Sequence, residues 1–144
     1  MFKLPIDLEF DIEIKYAWND EDERNLNWED RNTYLDEILK VVYANVGERK
    51  IFFSCFCPEV CMLLRAKQAK FPVYYLCPIG AEPHDDARSQ TLKASCAFAN
   101  EAHLAGIVCC STPLVGHLEE VRTCGATVMT YGCNKYYYLI YLSL

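Results

Sequence analysis

Ile12-Glu13-Ile14-Lys15-Tyr16 reads as a β-strand that sends an acid and a base to the same side. Side chains alternate along a strand, so Glu9, Asp11, Glu13 and Lys15 share one face, and Phe10, Ile12, Ile14 and Tyr16 share the other. A carboxylate and an ammonium two residues apart at a strand end suit a divalent metal and a phosphate together. The plainer reading is a surface ion pair on an edge strand, a common and weak arrangement.

Four more short apolar runs follow, at about 50–55, 72–77, 106–110 and 126–131, after the first at 9–16. Ile51-Phe52-Phe53 and Gly106-Ile107-Val108-Cys109-Cys110 are apolar on both faces, the pattern of covered parallel strands. Helical patterns separate the runs. Leu35, Ile38, Leu39, Val42 and Val46 keep helical spacing, with Thr33 as the expected N-cap and Gly47 past the end. Pro58 opens the next helix at a position where its missing N–H costs nothing, and Phe71-Pro72 closes it. Ser89 is expected to cap a third helix running to about His103. Pro113 is expected to begin a fourth, with Leu114, Leu118 and Val121 on one face and Gly125 as its stop. Such βαβα alternation implies a parallel α/β sheet, either doubly wound or part of a (β/α)8 barrel. Neither a GxGxxG fingerprint nor a P-loop is present, which removes the main support for a nucleotide-binding fold.

The 144 residues suffice for one domain with its own core, and the formal net charge of −6 argues against a nucleic-acid surface. The acids gather at Asp20, Glu21, Asp22, Glu23, Glu29 and Asp30, read as a solvated loop. No apolar run is long enough to span a bilayer, and Met1-Phe2-Lys3-Leu4-Pro5 lacks a signal-peptide core, so the cytoplasm is the expected location. Nine cysteines in such a chain point to free thiols or a metal, but Cys55-x-Cys57-x-x-x-Cys61 has neither zinc nor iron–sulfur spacing. His84, His103 and His117 are the acid–base candidates by type, and each is expected to be solvated or at a helix end.

These segments resemble a known family. Ile12-Glu13-Ile14-Lys15-Tyr16 followed by Ile51-Phe52-Phe53-Ser54-Cys55-Phe56 is similar to two strands of the glycerophosphodiester phosphodiesterase domain, a TIM barrel. Leu63-Leu64, Pro72-Val73-Tyr74-Tyr75-Leu76, Leu104-x-Gly106-Ile107-Val108 and Val128-x-Thr130-Tyr131-Gly132 match in the same order, and the branch most resembled is the eukaryotic glycerophosphocholine phosphodiesterases. The likeness covers residues 6–132, leaving 133–144 as a divergent tyrosine-rich tail.

The resemblance implies a small-molecule glycerophosphodiester substrate, such as glycerophosphocholine, cleaved to glycerol 3-phosphate and an alcohol in lipid metabolism. It implies a divalent metal (Mg or Ca) with Glu13 as a ligand, Lys15 beside the phosphate, and Ser54 and Phe56 on the substrate-binding rim. The family's "HRG" and "HD" histidines and its "EFD" carboxylate strand find no match. Glu9-Phe10-Asp11 spells the same letters but runs directly into Glu13-Ile14-Lys15, and is read as coincidence. Cys57 stands where the family has an acid or Asn ahead of Pro58. By this alignment the chain carries strands three to seven of eight, with two open sheet edges. The chain alone is therefore expected to be poorly active and to self-associate. A non-catalytic module that has lost the catalytic histidines, or an unrelated doubly wound binding protein, are the alternatives.

Overall fold

The computed structural model describes residues 5–17, 30–79, 81, 86–114 and 116–132. Its first strand, β1 (Phe10–Glu13), is followed by α1 (Arg31–Asn45), β2 (Ile51–Cys55), α2 (Pro58–Lys67) and β3 (Val73–Cys77). A 3-10 turn at Ala87–Ser89 leads into α3 (Leu92–Glu101), β4 (Gly106–Cys110), a second 3-10 turn at Thr112–Leu114, α4 (Leu118–Thr123) and β5 (Thr127–Tyr131). All four strand pairings are parallel and the spatial order is β1-β2-β3-β4-β5. Chain order and spatial order coincide, so the sheet has no switch point among the described residues. That excludes the doubly wound alternative and leaves the barrel one.

The register divides the sheet into two faces. Phe53, Tyr75, Ile107 and Val128 lie on the face covered by helices and are almost wholly buried. Phe53 meets Phe71 edge-on at 6.0 Å, and Tyr75 meets Phe98 of α3 at 5.0 Å. Leu35, Val60, Leu64, Cys96 and Ala99 complete this helix–sheet core. The opposite face carries Phe52, Ser54, Tyr74, Val108 and Met129 in register across the strands.

That second face is concave. In a flat sheet β2 and β5, three steps apart, would be separated by about 14 Å. Yet the rings of Phe56, just after β2, and Tyr131, at the end of β5, have centroids 6.2 Å apart and nearly perpendicular planes. The five strands therefore form a curled half-barrel with its helices outside. Gly106 makes part of this possible, because a Cβ there would collide with the Thr127 carbonyl oxygen of β5.

The helix ends differ in detail from the expectations. Asp30, not Thr33, caps α1; its carboxylate accepts from the N–H groups of Asn32 at 3.0 Å and Thr33 at 3.2 Å. A carboxylate one residue outside the first turn outcompetes a threonine inside it. Thr91, not Ser89, caps α3 by accepting from the Ala94 N–H, while the Ser89 hydroxyl donates to the Asp86 carbonyl. Helix α2 ends at Lys67 rather than at Phe71-Pro72. There the Gln68 side chain bonds both the N–H and the carbonyl of Phe71, closing the turn itself. The helix expected from Pro113 is broken at Gly116 (φ +93°) into a 3-10 turn and the six-residue α4, and Leu118 is left exposed. Pro58 at the start of α2 and Gly47 (φ +55°) after α1 stand where the sequence puts them. The acidic run through Glu29, His84 and the 133–144 tail lie outside the described residues.

Candidate functional site at the carboxyl ends of the strands

Parallel strands present their carboxyl ends to one rim, and here that rim begins with Glu13 and Lys15. The ladder continues one residue past β1, with the Ile14 N–H donating to the Ser54 carbonyl at 2.7 Å. Ile14 itself is buried in the core. The Lys15 carbonyl accepts the Tyr34 hydroxyl of α1 at 2.8 Å, and the Tyr34 ring leans on Tyr16 at 5.6 Å. The backbone under Glu13 and Lys15 is thus held from both neighbours. Lys15 Nζ lies 2.5 Å from Glu13 Oε1, with the lysine side chain 76% exposed and the glutamate 33%.

Ser54 is opposite Glu13 in the register and is fully buried. Its hydroxyl donates at 2.7 Å to Asp11 Oδ1, two residues before Glu13 on the same face. Partial burial pushes the Asp11 carboxyl above its usual range, the Ser54 bond pulls it back, and the nearby Glu13 charge pushes it up again. Asp11 thus lies on the face shared with Glu13 and Lys15, as the alternation along the strand predicts. Its bond to Ser54, 43 residues away, has no signal in the sequence.

Farther round the rim, Cys57 N-caps α2 without any side-chain cap bond, so the missing oxygen has a structural consequence. Burial pushes the Cys57 thiol up to about 11, and the thiol donates to Glu59 at 3.5 Å. Cys55 and Cys61 are in the core, where Cys61 donates to the Cys55 carbonyl. Arg88, in the turn after β3, bonds Asp86 at 2.5–3.0 Å and Glu59 at 2.7 Å, which ties that turn to the start of α2. Burial alone would raise Glu59, but its bonds to Arg88 and to its own backbone hold it below the ordinary carboxylate range. Sequence reasoning did not find this clamp, whose members are 29 residues apart.

Neither described histidine bonds Asp11, Glu13 or Lys15. His103 lies between α3 and β4, at the amino end of the sheet, and its carbonyl accepts from Arg65. His117 caps α4 on the surface and bonds Glu120 at 2.8 Å. Among the described residues no three His, Cys, Asp or Glu side chains are grouped to hold a metal ion. Glu13 and Asp11 therefore do not by themselves make a divalent-cation site, which takes about six oxygen ligands.

The glycerophosphoryl diester phosphodiesterase family model matches residues 1–143. The chain belongs to this family. It is 35% identical over 139 residues to the glycerophosphocholine phosphodiesterase GDE1 of Eremothecium gossypii, covering 92% of this chain and 10% of that protein. The GDE1 of Candida albicans is 36% identical over 140 residues, covering 92% and 12%. Human glycerophosphocholine phosphodiesterase GPCPD1 is 34% identical over 139 residues, covering 90% and 21%. This member of the family thus spans between a tenth and about a fifth of the length of those relatives. No solved structure matches it significantly. No helix among the described residues is long and apolar enough to cross a membrane.

Proposed function

We propose that the chain forms the phosphate-facing wall of a glycerophosphodiester phosphodiesterase site. The observation that carries this reading is the Glu13–Lys15 pair at the carboxyl end of β1, on the concave face of a half-barrel from this family. Lys15 offsets the charge of a diester phosphate, and Glu13 contributes one carboxylate to a divalent cation, Mg or Ca. Ser54 fixes Asp11 beside them, and Phe56 lines the rim on the substrate's alcohol side. The substrate is a small glycerophosphodiester, released as glycerol 3-phosphate and an alcohol, as part of lipid metabolism. We place the protein in the cytoplasm, which accords with its eight described free cysteines.

Hydrolysis by this chain alone is low in this reading, because neither described histidine bonds Asp11, Glu13 or Lys15. The same observation favours a second reading, an interaction module that has lost the catalytic histidines. Strands β1 and β5 each pair on one side only among the described residues, which offers edges for self-association.

Titration of the purified chain with glycerol 3-phosphate, with and without Mg or Ca, tests the first reading. Binding that weakens in Lys15→Met, with a cation dependence lost in Glu13→Gln, is expected. Absence of binding would remove the phosphate-facing assignment. Release of glycerol 3-phosphate at enzyme-like rates, dependent on Glu13, would instead overturn the low intrinsic activity. A concentration-independent monomer in light scattering would dispose of self-association.

A further inference from the structure

The cysteines among the described residues are all free thiols, and most are buried in the helix–sheet core. One contact between thiols reaches the surface. Cys96 of α3 is 1% exposed, and its thiol donates to the sulfur of Cys124, which follows α4 and is partly exposed. The S–H of Cys124 is in turn directed to the carbonyls of Val121 at 3.1 Å and Ala126 at 3.5 Å. A second contact holds the same two segments together. Asn100, one turn beyond Cys96 on the same face of α3, donates its side-chain N–H to the Cys124 carbonyl at 3.5 Å. Gly125 (φ +70°) stands against that Asn100 amide and turns the chain toward β5. The two sulfurs are therefore adjacent, on backbones already fixed against each other. Cys61 likewise bonds Cys55, but both are fully buried, which keeps a reagent from reaching that pair.

We propose that Cys96 and Cys124 are a reversible redox-modification site, closed to an intrachain disulfide by a small-molecule disulfide of the glutathione type. The partly exposed Cys124 reacts first. Its thiolate attacks one sulfur of the reagent, so that a mixed disulfide forms and one small thiol leaves. Cys96 then gives its proton to solvent, attacks the Cys124 sulfur and displaces the second small thiolate, which takes up a proton. Two protein thiols are oxidised by two electrons, and one small disulfide is reduced to two thiols. Burial, with the bond to Cys124, raises the Cys96 thiol above its ordinary range, so the second step is the slow one. The disulfide fastens α3 to the turn ahead of β5 and encloses β4 and α4 in one covalent loop, which restricts the unfolded chain and stabilises the folded one.

The test treats the folded, reduced full chain with glutathione disulfide, blocks the remaining thiols with an alkylating agent and maps the peptides by mass spectrometry without reduction. The expected product is the Cys96 peptide joined to the Cys124 peptide, in a chain lighter by two hydrogen atoms. Its thermal midpoint is expected to rise by about 5–10 °C and to return on adding dithiothreitol. Cys96→Ala is expected to stop at the glutathione adduct on Cys124, and Cys124→Ala to leave Cys96 unmodified. Pairing of either cysteine with a different one in the folded chain overturns the site. So do adducts that never close to the link, or a linked chain with an unchanged midpoint. Should a variant fail to fold, the peptide map of the unaltered chain still decides.

Discussion

Ser54 of β2 donates its hydroxyl to the Asp11 carboxylate of β1 at 2.7 Å, and the serine is fully buried while the aspartate is largely open to solvent. The bond joins the strand that carries Glu13 to its only described neighbour. Ser54→Ala removes the donor without altering the backbone ladder. We expect a loss of about 1–2 kcal/mol in denaturant unfolding at pH 7. Ser54→Thr, which keeps the hydroxyl, is expected to lose less unless the added methyl cannot be packed. An unchanged midpoint for Ser54→Ala would show that the bond contributes nothing net.

Arg88 and Glu59 give the pH dependence. Glu59 titrates in the folded chain below its ordinary value of 4.5, so the native state binds the proton less tightly than the unfolded one. Its contribution is full above pH 4.5 and is lost as pH falls through the lowered folded value. Both side chains are more than a third exposed or close to it, so the pair is worth about 0.5–1 kcal/mol. Glu59→Gln is expected to be less stable than the parent at pH 7 and to converge with it in acid. A difference that grows on acidification would refute the assignment.

Tyr75 illustrates an opposite case. Its ring is wholly buried against Phe98, and among the described residues its hydroxyl has no hydrogen-bond partner. Burial pushes its ionisation far above the usual tyrosine range. Tyr75→Phe deletes only the orphaned oxygen, and thermal unfolding is expected to occur at the same or a higher temperature, by up to about 1 kcal/mol in stability. A destabilised variant would reveal a partner for that hydroxyl.

Gly106 permits the close approach of β4 to β5. Gly106→Ala drives a methyl into the Thr127 carbonyl, so the two strands must separate or the residue must twist. We expect a cost of at least about 2 kcal/mol. Faster amide exchange should follow across the β4–β5 ladder, with the β1–β2 ladder little affected. Uniform exchange changes would argue for global loosening instead.

Much of this architecture was legible in advance, for identifiable reasons. The runs Ile51-Phe52-Phe53 and Gly106-Ile107-Val108 are apolar on both faces because helices cover one side and the curled interior the other. Strict alternation in Phe10–Glu13 showed through because only one face of β1 is covered. Pro58 and Gly47 mark helix ends through backbone constraints that no distant contact can cancel. The cap positions were less legible, since Asp30 and Thr33, or Ser89 and Thr91, compete for the same job and tertiary fit chooses. At the site, Glu13 and Lys15 were visible as neighbours in sequence. Asp11 with Ser54, Arg88 with Glu59, and Phe56 with Tyr131 come together only through register and curl.

The coincidence of chain order with strand order has a kinetic side. Among the described residues each strand pairs only with the strand immediately before or after it in the chain, so none of these pairings has to wait for a distant segment to arrive. Loops close over one βα unit at a time, which keeps the entropic cost of each closure small and lets assembly begin at any unit and grow in either direction. A chain built this way can acquire a further βα unit at either flank, or shed one, without rethreading the strands already in place.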